Sequence, residues 1–172
     1  MSVQDTKQAG ELAGKLVLVT GASSGIGWAT AALAVQQGAK VCAVGRNQEA
    51  LEKLKSEIGC EIVVGDLTEK GACERIVKEA VEKLGGLTTL INNAGVLRRA
   101  AMDTATLDDF EANFGANTRA VFEMMQHSIP HLKAVGEGAS IVNVSSVNGL
   151  QSFGGVATCT FGHVTIRSML KQ

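Results

Sequence analysis

Lys15-Leu16-Val17-Leu18-Val19 runs directly into Thr20-Gly21-Ala22-Ser23-Ser24-Gly25-Ile26-Gly27, and this junction decides the fold. A short continuous apolar run is the pattern of a parallel strand buried on both faces. A strand that ends in a glycine-rich turn and opens a helix is how a doubly wound α/β fold holds a dinucleotide. Gly21 permits the sharp turn, where a Cβ would clash. Gly25 lets the backbone approach a pyrophosphate, and Gly27 lets the helix pack close to the strand. First-turn N–H groups and the positive helix end then face the phosphates. Any tight strand–helix turn can use glycine; the strand before this one and the helical pattern after it favour nucleotide binding.

Outward from that turn, strand and helix patterns alternate with short connections, the mark of βαβ units. Strands are expected at 15–20, 40–45, 61–66, 88–92 and 139–145. The first helix is expected over 25–37, with Ile26, Ala29, Ala32 and Leu33 on one face and Gly38 ending it. A charged helix is expected over 48–58, with Leu51, Leu54 and Ile58 at helical spacing. A third begins near Thr68 and ends at Gly85-Gly86, its buried stripe being Cys73, Ile76, Val77, Ala80, Val81 and Leu84. A long helix is expected over 107–134, opened by a capping box of Thr106 with Asp109 and kinked at Pro130. After Gly155, two β-branched runs, 156–161 and 164–169, flank Gly162-His163, which is a hairpin signal. The domain expectation is a polar tail at 1–14, one nucleotide-binding domain at 15–155 and an atypical tail at 156–172.

Composition narrows the function classes. Apolar residues are 45% and charged residues 19%, an ordinary globular balance. Lys plus Arg is 16 against 17 for Asp plus Glu, and aromatics are only 3%, so a nucleic-acid backbone finds no basic patch and its bases few stacking partners. Cys42, Cys60, Cys73 and Cys159 form no CxxC pair. They read as small buried hydrophobes in a reducing compartment rather than as metal ligands. The polar first fourteen residues lack the apolar core of a signal peptide, and no apolar run is long enough to span a bilayer. A cytoplasmic chain with no membrane contact and no metal is expected.

TGASSGIG at 20–27, Asn92-Asn93-Ala94-Gly95 and Ile141-Val142-Asn143-Val144-Ser145-Ser146 occur together, in order. In this the chain resembles the short-chain dehydrogenase/reductase family over about residues 12–155. The resemblance implies a Rossmann sheet of five parallel strands in order 3-2-1-4-5, here incomplete on the fifth-strand side. It also implies carbonyl/alcohol interconversion by hydride transfer with a nicotinamide cofactor, on a small-molecule substrate. It assigns Thr20, Gly21, Ser23, Ser24, Gly25, Ile26 and Gly27 to the cofactor loop, and places Asn92, Ala94 and Gly95 along the cofactor. A homo- or hetero-oligomer through the long helix is the expected assembly.

The end of the second strand selects the cofactor. An acidic residue there would hold a ribose 2′-hydroxyl and favour NAD(H). Gly45 occupies that position and Arg46 follows; a guanidinium can grip a 2′-phosphate, so NADP(H) is expected over NAD(H). The alternative is a solvated arginine opening a polar loop. Asp66 resembles the position that meets the adenine amino group, with a helix cap as its alternative.

Catalysis in the family uses a tyrosine, a lysine four residues later, a serine and an asparagine. Asn117 matches the asparagine and Ser146 the serine; Ser145 points to the other face of the strand. At the family interval the tyrosine and lysine positions hold Cys159 and His163, and the chain contains no tyrosine. A thiol is more acidic than a phenol but several ångströms shorter, and reach is the first requirement of a proton donor. Impaired turnover is therefore expected, and residues after about 155 read as departing from family sequence. Three readings stay open: an active reductase with unusual residues, a non-catalytic nucleotide- or partner-binding remnant, and a fragment left by a shifted frame or truncated gene.

Overall fold

β1 (Leu16–Thr20) is apolar on both faces because it lies at the centre of the sheet. In the computed structural model, which describes residues 10–151 and 154–159, it pairs in parallel with β2 (Lys40–Gly45) on one side and β4 (Thr89–Asn92) on the other. β3 (Glu61–Val64) extends the sheet beyond β2, and β5 (Ser140–Asn143) beyond β4. The order is β3-β2-β1-β4-β5, as the resemblance implies. Each strand is as long as expected or shorter; Asp66 and Ser146 therefore lie past the ends of β3 and β5, where a loop side chain is free to face a cleft.

Strand alternation sorts the core into two layers. Leu18, Cys42, Val44 and Leu90 point to the face covered by α3 (Ala72–Leu84) and α5 (Ala120–Val135). Val17, Val19, Val41 and Ala43 point to the face covered by α1 (Gly25–Gln36) and α2 (Gln48–Ile58). Leu18, Leu90 and Met124 are fully buried, each contributing about 1.5–3 kcal/mol of transfer free energy. Burial pushes the Cys42 thiol up to about 12; it does the same to Cys73, with help from nearby Glu123, so both behave as hydrophobes.

Four local expectations are corrected. α1 does not bury Ile26, Ala29 and Leu33: it buries Gly27, Ala31 and Ala34, and Ile26 is 67% exposed. Small residues win that face because the helix lies close to the strand turn, where a Cβ on Gly27 would run into the Gly21 carbonyl. α3 starts at Ala72, because residues from Asp66 to Gly71 form turns first. The long helix is not uniform: α4 (Leu107–Phe114) gives way to a π-helical turn, Gly115–Arg119, before α5, which runs on through Pro130 to Val135. The capping box at its start is formed by Thr106 and Asp109. Finally, Val156 bridges in parallel to Ala100 and residues 157–159 are helical, so the first arm of the expected hairpin is replaced. Its remainder lies outside the described residues.

Gly27→Ala decides between two effects of opposite sign. Alanine improves helix propensity by about 1 kcal/mol, whereas forcing a methyl against backbone costs about 1–3 kcal/mol. The contact is with a carbonyl that cannot swing away, so the expected result is a net loss of stability, read as a lower urea midpoint at unchanged m-value.

Candidate functional site

The site starts where β1 and β4 end side by side. The Thr20 hydroxyl accepts the backbone N–H groups of Asn93 and Ala94, both at 3.0 Å, and donates to the Ile91 carbonyl at 3.4 Å. The Asn93 amide donates to the carbonyls of Thr20 at 3.0 Å and Gly21 at 3.3 Å. The turn is thus clamped to the Asn93-Ala94 segment, so closely that a Cβ on Gly21 would stand 2.7 Å from the Ala94 Cα. Gly21 also has φ +67°, a conformation glycine adopts without strain. α1 follows with no acidic residue in its first turn and no side-chain cap from Ser24. Its first N–H groups are left to an anion in the cleft.

That cleft has a volume of about 740 Å3. Gly21, Ser23, Ser24, Gly25 and Ile26 form one wall; Arg46 and Asp66 stand at one end, and Ala94 and Gly95 along the floor. At the Arg46 end, the Ser23 hydroxyl fills the space a side chain at Gly45 would need. Asp66 accepts from the Thr68 N–H at 2.9 Å and the Thr68 hydroxyl at 2.7 Å through one oxygen. Its other oxygen lies 3.6 Å from the Arg46 guanidinium. Burial works to raise the Asp66 carboxyl, but the two Thr68 bonds and then Arg46 outweigh it and hold the pKa below the usual aspartate value. Asp66 caps the turn at Thr68 rather than α3, whose N-cap is Gly71.

A second hollow, of about 430 Å3, continues past Ile26 and Asn93 to Val96 and shares those residues with the first. Asn117, Ser145, Ser146, Asn148 and Cys159 line it; β5 ends at Asn143, so strand alternation does not turn Ser145 to the other face as expected. Ser146 accepts the Asn148 N–H at 3.2 Å, and the Asn148 amide donates to the Cys159 Sγ at 3.7 Å. The Asn117 amide is occupied by one backbone residue: its Oδ1 accepts from Val96 N at 2.8 Å and its Nδ2 donates to Val96 O at 2.9 Å. The Asn117 side chain thus fixes the loop at Val96 from within the π-helical turn.

The two hollows bring together twelve of the sixteen residues singled out from sequence. The others are Thr20, Gly27, Asn92 and His163. Thr20 and Gly27 are buried beneath the turn. Asn92 is buried in the sheet, donating to the Asn143 Oδ1 at 2.8 Å. His163 lies outside the described residues. Two residues escaped sequence reasoning. Asn93, the neighbour of Asn92, is the one that lines both hollows; alternation along β4 carried one residue further would have shown it. Asn113, four residues before Asn117, binds the same loop with its amide; a second asparagine at i−4 was the available signal. Among the described residues no group of three His, Cys, Asp or Glu side chains converges on a metal-sized site, and no helix is long and apolar enough to cross a membrane.

Comparison with known proteins agrees with this geometry. The family described as short chain dehydrogenase matches residues 15–160. The chain is 37% identical over 144 residues to the 3-oxoacyl-(acyl-carrier-protein) reductase FabG of Thermotoga maritima, an alignment covering 81% of this chain and 58% of that protein. It is 33% identical over 168 residues to the 2,5-dichloro-2,5-cyclohexadiene-1,4-diol dehydrogenase LinX of Sphingobium indicum, covering 95% of this chain and 67% of the relative. A crystal structure of a short chain dehydrogenase from Mycobacterium smegmatis superposes with a TM-score of 0.88 at 27% identity, over 93% of this chain and 70% of that one. The chain thus spans little more than half of its FabG relative. With sheet order, glycine turn and family match in agreement, the chain belongs to the short-chain dehydrogenase/reductase family, whose members are oxidoreductases that bind NAD(H) or NADP(H).

Proposed function

We propose that residues 15–155 form one NADP(H)-binding unit of an oxidoreductase acting on a small-molecule carbonyl or alcohol, with turnover impaired in this chain. The observation that carries the choice of NADP(H) is the corner after β2. It offers no carboxylate for a ribose 2′-hydroxyl: Gly45 is closed off by Ser23. It offers instead an arginine whose guanidinium is steered over the cleft by a fixed aspartate. An aspartate held charged keeps that orientation, and Arg46 keeps further N–H donors for a phosphate.

The groups fit the cofactor class: a glycine turn open to the cleft at Gly25, where a Cβ would meet nothing within 4 Å, a helix start with no side-chain cap, and a cationic end. When bound, the nicotinamide supplies or accepts the hydride. In this reading Ser146, which lines the smaller hollow, orients a substrate oxygen, and Asn117 holds the Val96 loop beside it. Proton transfer is the weak part. Cys159 stands where the family tyrosine is expected, and there is no tyrosine in the chain. Losing a positioned general acid–base costs about 10²–10⁴ in rate. Binding without turnover is the second reading, favoured by that same thiol. The four free cysteines support a reducing, cytoplasmic setting. Phe122 and Ile129, apolar and exposed on α5, support self-association through that helix.

Titration with NADPH, followed by Trp28 fluorescence and by calorimetry, is expected to saturate; no change in either signal overturns the reading. Trp28 is suited to this because it sits one residue past the glycine turn, partly buried against the α1 layer. Turnover of a broad carbonyl panel then separates the slow enzyme from the binder.

Arg46→Ala is expected to weaken NADPH binding by about 10- to 100-fold, the size of a lost charge-assisted hydrogen bond. NADH binding should change far less, and equal losses would remove Arg46 from cofactor selection.

Asp66→Asn tests the charged carboxylate, held first by Thr68 and then by Arg46, through stability. A carboxyl whose folded pKa is lowered stabilises above its unfolded value, about 3.9, and that contribution disappears as pH falls through the folded value. Urea unfolding across pH should show wild type more stable than the variant near neutrality, with the gap closing in acid.

A further inference from the structure

The geometry points to Asn113 as a positioning residue that fixes the substrate end of the cleft by tying three chain segments to one buried amide. This assignment rests on the reading of the Ser146–Cys159 hollow as that end. Asn113 is completely buried. Its Oδ1 accepts from Arg98 N at 3.1 Å. Its Nδ2 faces three acceptors: the Thr158 hydroxyl at 2.8 Å, the Arg98 carbonyl at 2.9 Å and the Asp109 carbonyl at 3.0 Å. Two N–H groups serve three acceptors, so the amide is fully engaged. A buried amide is costly when unpaired; it is retained here in a position where an apolar side chain would fill the same space.

The pairing with the loop has a geometric basis. Asn113, in the last turn of α4, and Asn117, in the π-helical turn, are four residues apart, so their side chains fall on neighbouring positions of one face. Val96 and Arg98 are two apart in the loop, about 6.6 Å if extended. The two amides therefore grip alternate residues of one segment. Asn117 stops there. Asn113 reaches further, to Thr158, beside the Val156–Ala100 bridge. Arg98 lines the larger hollow and Cys159, next to Thr158, lines the smaller one. Asn113 thus links the two walls beside Cys159, which is 3% exposed.

The test uses Cys159 as a local reporter and Cys73, buried in the α3 layer, as the reporter of global opening. The full chain, without cofactor, is pulsed with a small alkylating reagent and each thiol is followed by mass spectrometry. Thr158→Val removes the hydroxyl acceptor and leaves the other Asn113 partners in place. It should speed labelling of Cys159 about tenfold, the opening expected when one hydrogen bond is lost, with Cys73 unchanged. Thr158→Ser should restore the wild-type rate. In Asn113→Ala, adding Thr158→Val should speed Cys159 no further, because the bond is already gone. A wild-type rate in Thr158→Val, a parallel rise of Cys73, failure of the serine rescue, or additive effects in the double variant would each overturn the assignment. NADPH titration of Thr158→Val is a separate measurement. Loss of binding in wild type would sink the nucleotide reading while leaving the labelling result to be judged by itself.

Discussion

The Thr20 hydroxyl holds the ends of β1 and β4 together, and the site depends on that contact. In a doubly wound sheet the chain leaves β1 toward one side and enters from the other at β4, so a crevice opens between their carboxyl ends. Left alone, such a crevice would expose unpaired N–H groups of two loops. Thr20 accepts two of them from Asn93 and Ala94, and Asn93 returns its amide to the carbonyls of Thr20 and Gly21. The turn is thereby fixed against β4 without a side chain entering the space above it. Glycine at 21 and 27 follows from this closeness: a methyl at either would strike backbone. A threonine and an asparagine, through hydrogen bonds to backbone, thus decide the shape of the cleft wall.

From that clamp the two ends of the cleft are built by different means. The Arg46 end relies on charge: a carboxylate held by two Thr68 bonds and shared with a guanidinium whose side chain is 68% exposed. Exposure limits what such a pair adds to stability, since solvent screens it. Its value is orientation. The Cys159 end relies on buried neutral amides, where screening is absent and each lost bond is felt. Asn113 and Asn117 hold backbone there, and Asn148 faces the thiol. The two ends are thus held by different forces, and no hydrogen bond between side chains joins Arg46 to Cys159 among the described residues.

The sheet was legible because its strands are buried on both faces, so that Val17-Leu18-Val19 and Cys42-Ala43-Val44 needed no periodicity to stand out. The glycine turn was legible because its residue types are forced by backbone approach. Where reading failed, a tertiary contact had overridden a local pattern. Ile26 and Leu33 look like a core stripe, yet the helix must lie close, so alanine and glycine take the inner face and Ile26 lines both hollows instead. The β-branched run after Gly155 favours a strand, but residues 157–159 are helical where Thr158 meets Asn113. Only the spacing of Asn113 to Asn117 hinted at a role; its loop and Thr158 partners lie 15 and 45 residues away, beyond the reach of any local pattern.

Binding and turnover make different demands on a fold of this kind. A nucleotide cradle is made of backbone and a few short side chains, all of which reach their places once β1, β2 and β4 pair. Proton transfer needs one atom within hydrogen-bond reach of the substrate oxygen, which depends on the length of a single side chain. Replacing a phenol by a thiol at 159 preserves packing, since Cys159 is buried and contacted by Asn148. It removes several ångströms of reach. A well-formed cleft therefore says nothing by itself about the reach of the side chain at 159.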